Sequence, residues 1–89
     1  MKVKYFDLKN KKIFITGGAD GIGASIVELF CEQGSDVIFI DVNINKAKKL
    51  INNIKKKKLK IPKFIKCNVL DIRKLQNIII KNGPFNVLI

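Results

Sequence analysis

Apolar residues along this chain alternate between two arrangements, short continuous runs and recurrences at helical spacing. Ile13 to Thr16 is a continuous run that ends in glycines, as a buried strand does. From Ile22 the apolar residues Ile26, Leu29 and Phe30 recur at helical spacing, and Gly34 supplies a helix stop. Val37 to Ile40 is again continuous and closes on Asp41. Ala47, Leu50, Ile51 and Ile54 mark one face of a second helix, with lysines and asparagines on the other side. Ile61 and Pro62 interrupt that pattern. Phe64 to Cys67 reads as a third strand, Ile72 to Ile80 as a third helix and Gly83-Pro84 as a turn. Val87 to Ile89 opens a fourth strand, and the sequence stops inside it.

The predicted order is therefore β-α-β-α-β-α-β. Continuous apolar strands between amphipathic helices argue for a parallel sheet covered on both faces. Right-handed crossovers make this an α/β, Rossmann-type doubly wound sheet, of which residues 1–89 are expected to form the first half as one domain. At this length a domain buries only about 60–65 % of the surface its unfolded form exposes, so the expected core is marginal.

Composition narrows the functional classes. Apolar residues at 47 % and charged residues at 28 % describe a globular chain. No apolar run approaches the roughly 20 residues of a membrane span. The opening residues lack the apolar stretch of a signal peptide. With Cys31 and Cys67 in no ligand-like spacing, the expectation is a reduced, cytoplasmic protein. The absence of His excludes a His-based triad or zinc site. The net charge of +11 raises the question of a polyanion partner, but all but one of the 18 basic residues are lysines, Arg73 being the exception. Base readers favour Arg, and stacking platforms interleave aromatics with charge. Lys, Ile and Asn make up nearly half the chain, the trio an AT-rich coding sequence favours. Lys55 to Lys58 is accordingly read as a solvated helix end, and neither nucleic acid nor membrane is expected as a partner.

Chemistry concentrates in Thr16-Gly17-Gly18-Ala19-Asp20-Gly21-Ile22-Gly23, between the first strand and the first helix. Glycines let a backbone turn sharply and approach a phosphate with no Cβ in the way, and the helix start adds unpaired N–H groups and a positive dipole end. Gly17 is expected to make the turn, Gly21 to allow close approach, and Gly23 to let the helix pack on the sheet. Asp41 closes the second strand, where a carboxylate accepts hydrogen bonds from both hydroxyls of an adenosine ribose and repels a 2′-phosphate. Asp20 places a second negative charge beside it. The expected cofactor is NAD rather than NADP.

The spacing Thr-Gly-x-x-x-Gly-x-Gly resembles that of the short-chain dehydrogenase/reductase family, and the resemblance runs the length of the chain. In that family the third strand usually ends in an Asp-Val pair that holds the adenine ring. Asn68 and Val69 stand at the matching positions, and Asn68 departs from the pattern while keeping an amide oxygen as acceptor. Gly83 to Ile89 is similar to the family's approach to its Asn-Asn-Ala-Gly segment, which would start at the next residue. The family's Ser and its Tyr-x-x-x-Lys pair would also follow. Tyr5 and Lys9 share that last spacing but precede the first strand, so it is read as accidental.

The residues expected to hold the cofactor are thus Gly17, Asp20, Gly21, Ile22, Gly23, Asp41, Asn68 and Val69, with no catalytic or metal-ligating residue. The resemblance implies an NAD-dependent oxidoreductase acting on an alcohol/carbonyl pair, a sugar or polyol dehydrogenase and a 3-oxoacyl reductase both being compatible. It also implies that these 89 residues alone are inactive and that a complete enzyme forms a homo-oligomer. A non-catalytic, truncated NAD-binding module or relic is the alternative, and a basic nucleic-acid or membrane-surface binder a distant third.

Overall fold

A computed structural model of the chain, describing residues 8–89, places β1 (Lys12–Thr16), α1 (Gly21–Glu32), β2 (Asp36–Asp41), α2 (Ile44–Lys56), β3 (Lys63–Lys66), α3 (Ile72–Asn82) and β4 (Val87–Leu88) in the expected order. Tyr5 lies outside the described residues. Among the described residues no helix is long and apolar enough to cross a membrane.

The apolar runs become strands because both of their faces are buried. Alternate side chains of a strand point to opposite sides of its sheet. Ile13 and Ile15 of β1, with Val37 and Phe39 of β2, pack against Val27 of α1 and Leu50 and Ile54 of α2. Phe14 of β1, with Ile38 and Ile40 of β2, packs on the other face against Cys67 and Ile78. Burying each of Phe14 and Phe39 contributes about 1.5–3 kcal/mol. The result is a three-layer sandwich, with α1 and α2 over one face of the sheet and α3 over the other.

All strand pairs are parallel, in the order β3-β2-β1-β4. The chain steps outward from β1 to β2 to β3, then crosses back to lay β4 on the far side of β1. That reversal opens a crevice beyond the C-terminal ends of β1 and β4, the place where open α/β sheets take ligands. β4 is short, but the ladder continues past it: the Ile89 N–H donates to Phe14 O (2.8 Å), and the Thr16 N–H to Ile89 O (3.0 Å).

The helix ends follow local chemistry. Gly34 (φ 79°) closes α1, with the Gly34 N–H on Cys31 O and the Ser35 N–H on Phe30 O, a Schellman pair. Asn43 caps α2, its Oδ1 accepting from the Lys46 N–H (3.0 Å), and Asp71 caps α3 by accepting from the Lys74 N–H. The lysine run lies where expected, at the end of α2. Lys55 and Lys56 sit in the last turn, where a cation suits the helix dipole, and Lys57 pairs with Glu28 (2.8 Å).

Candidate functional site

The glycine segment leaves β1 and is fastened to the end of β2 by three successive amides. The Gly17 and Gly18 N–H groups donate to Ile40 O (2.9 and 3.3 Å), and the Ala19 N–H donates to Asp41 Oδ2 (3.1 Å). Asp41 Oδ1 accepts from the Asn43 N–H (2.9 Å), so one carboxylate ties the glycine loop to the start of α2. The Cys67 N–H donates to Asp41 O (3.2 Å), which joins the end of β3 to the same place. Each carboxylate oxygen keeps a further lone pair.

Gly17 (φ 67°) and Gly21 (φ 55°) adopt left-handed backbone, and a Cβ at either would meet nothing within 4 Å. The turn therefore requires glycine for its conformation, and the space over it is open. Gly23 serves differently from expectation. A Cβ there would lie 1.9 Å from Gly17 O, so its hydrogen makes room for the turn itself rather than for the sheet. Packing on the sheet falls to Gly18, whose Cβ would strike Phe39 and Val27 at 2.8 and 2.9 Å. The paired glycines were visible in the sequence, but the tertiary neighbour that gives Gly18 its role was not.

The first amides of α1 have no partner within the helix. Unlike Asn43 and Asp71, Asp20 makes no capping hydrogen bond onto its helix. Its carboxylate pairs instead with the Lys46 ammonium of α2. That ammonium, with the Gly21 N–H beside it, holds the Asp20 carboxyl below its ordinary range, and the same contact raises Lys46. Lys46 is a site residue that sequence reasoning did not single out, because nothing distinguished it from the other lysines of its helix.

The remaining expected residues converge on the same edge of the sheet. Ile22 is 82 % exposed at the first turn of α1, and Val69 is half-exposed beyond β3. Such apolar exposure suits the walls of a cleft that a ligand covers. Asn68 Oδ1 accepts from the Leu70 N–H (2.9 Å), so its amide oxygen already closes a local turn. Among the described residues no cluster of acidic and sulfur side chains could hold a metal ion. Cys31 is buried in α1, and burial pushes its thiol up to about 12, which leaves it a packing residue rather than a nucleophile. The edge therefore offers amides, a carboxylate and apolar walls.

The family model described as short chain dehydrogenase matches residues 11–88. The D-xylose 1-dehydrogenase of Caulobacter vibrioides is 29 % identical over 85 residues, covering 96 % of this chain and 34 % of that protein. The 3-phenylpropionate-dihydrodiol/cinnamic acid-dihydrodiol dehydrogenase of Escherichia coli is 31 % identical over 83 residues, covering 93 % of this chain and 31 % of that protein. A crystal structure of hydroxysteroid dehydrogenase from Escherichia coli superposes with a TM-score of 0.78 at 26 % identity, covering 91 % of this chain and 36 % of that one. The chain thus spans about a third of the length of the curated relatives it matches.

Proposed function

The chain belongs to the short chain dehydrogenase family, and from that premise we propose that it is the dinucleotide-holding part of an NAD-dependent oxidoreductase acting on an alcohol/carbonyl pair. One observation carries the reading: a left-handed glycine turn under open space, fixed by the carboxylate that closes β2. Asp41 would accept from the adenosine ribose hydroxyls with the lone pairs its two amide partners leave free. The first amides of α1 would face the pyrophosphate, and Ile22 and Val69 would supply apolar walls, with Val69 and Asn68 flanking the adenine. The bound nicotinamide supplies hydride exchange, while the residues of this chain bind and orient it. The carboxylates of Asp41 and Asp20 favour NAD over NADP. D-xylose and a dihydrodiol, in the names of two relatives, both carry neighbouring hydroxyls, which supports a sugar or polyol as substrate over a 3-oxoacyl group.

Calorimetric titration of NAD and NADP into the chain and into Asp41→Asn tests the assignment. Asparagine removes the charge and keeps one acceptor oxygen, giving up one of the two amide contacts of Asp41, so circular dichroism checks that the variant keeps its fold. NAD should bind more tightly to the unmodified chain, and Asp41→Asn should narrow the gap by on the order of tenfold, the size of one charge-assisted contact. Equal affinities in the unmodified chain would sink it.

A further inference from the structure

The contacts around Asp41 close on themselves. Its Oδ2 accepts from Ala19, whose neighbour Asp20 pairs with Lys46. The Lys46 backbone N–H is held by Asn43, and the Asn43 N–H donates back to Asp41 Oδ1. This ring joins the glycine loop, the tip of β2 and the first turn of α2, and it borders a shallow cleft of about 220 Å³ lined by Asp20, Lys46, Lys49 and Asn53. Lys46 is placed against the helix dipole: it lies in the first turn of α2, where a cation is disfavoured, and that turn contains no acid. The helix end and two lysines therefore concentrate positive charge beside the ribose-binding carboxylate, and Asp20 is the acid paired with it.

Resting on the cofactor reading above, we propose that Asp20 limits NADP binding by occupying Lys46, so that Lys46 is an internally masked receptor for the 2′-phosphate of an adenine dinucleotide. A 2′-phosphate and the Asp20 carboxylate compete for one ammonium. Asp41 sets the preference for the unphosphorylated ribose, and the Asp20–Lys46 pair sets how strongly the phosphorylated one is refused. Direct repulsion by Asp20 is the competing account, and it differs in one respect: it needs no lysine.

A double-mutant cycle separates the two. NAD and NADP are titrated at low ionic strength into the unmodified chain, Asp20→Asn, Lys46→Gln and the double variant, with circular dichroism confirming that each keeps its fold. Asp20→Asn should tighten NADP by about two- to fivefold, the range set by an exposed ion pair, with NAD nearly unchanged. The gain should vanish in Asp20→Asn/Lys46→Gln and survive in Asp20→Asn/Lys46→Arg. Persistence of the gain without the lysine, or no gain in Asp20→Asn, overturns the masking role while NAD binding leaves the cofactor reading standing. Failure of the unmodified chain to bind either nucleotide overturns both. A second readout is independent of affinity: the Lys46 side-chain NMR signals should move on adding NADP to Asp20→Asn and stay in place on adding NAD. Identical shifts with both nucleotides count against the proposal.

Discussion

A methyl group on Gly23 would sit 1.9 Å from Gly17 O, and neither backbone is free to retreat. Gly17 is tied by its N–H to Ile40, and Gly23 lies in the first turn of α1. Gly23→Ala should therefore destabilise the chain by about 1–3 kcal/mol, the range for overpacking a fitted site. It should appear as a lower urea midpoint with an unchanged slope. Wild-type stability in this variant would mean that the turn yields to an added methyl group. Asp20 and Lys46 make a prediction of different form. Lys46 holds the Asp20 carboxyl below its ordinary 3.8, so this side of the pair is fully stabilising above that value and is lost as pH falls through the lowered one. Lys46 is raised above its ordinary 10.5, so its side is complete below that value and is lost as pH rises through the raised one. Both groups are exposed, which makes the effect small and sensitive to salt. In thermal melts across acid pH, Asp20→Asn should show a shallower acid decline than the parent. A decline of equal depth would show that the pair is not formed in solution.

Among the elements, α2 is the one whose N-cap is tied to the candidate site. Asn43 both holds its first turn and is itself held by Asp41. Asn43→Ala should cost about 1 kcal/mol of stability, the usual loss of an N-cap. It should also free the Lys46 backbone, broadening the NMR signals of the first turn of α2 but not of α3, whose cap is Asp71. Uniform changes in both helices would argue for a global effect. The elements themselves were legible because burial on both sheet faces leaves unbroken apolar runs such as Val37 to Ile40, whereas one-sided helices leave recurrences such as Ala47, Leu50 and Ile54. The glycine turn and the acid at the tip of β2 were legible because backbone conformation and charge are properties of residue type. The contacts between them were not. Gly18 acquires its role from Phe39, and Lys46 acquires its role from Asp20 across 26 positions, pairings that only the folded topology brings about. For the same reason the sequence pattern points Gly23 at the sheet, whereas its tightest approach is to the turn.

At the scale of the whole molecule the two edges of the sheet differ in chemistry. β3 is guarded: Lys63 and Lys66 flank it with exposed charge and Pro62 precedes it, devices that discourage pairing with another chain. β4 forms the opposite edge with Val87 and Leu88, followed by Ile89, and carries no charge. Leu88 is 61 % exposed and Ile89 45 %, so the unguarded edge is apolar as well as unpaired among the described residues. Such an edge is a template for a second strand. What opposes association is the net charge of +11, a long-range repulsion that acts over a Debye length of about 10 Å at 0.1 M salt and about 3 Å at 1 M. The edge attraction is short-ranged and apolar, so salt leaves it intact while removing the repulsion. The 89-residue chain should therefore remain monomeric at low salt and self-associate as salt is raised, with added β signal in circular dichroism and rising light scattering. Leu88→Lys, which puts on β4 the kind of charge that β3 already carries, should move the onset to higher salt. Lys63→Leu should lower the onset by exposing the other edge. A chain that stays monodisperse at every salt concentration, or a Leu88→Lys variant that associates at the same salt as the parent, would show that the β4 edge is not the adhesive surface.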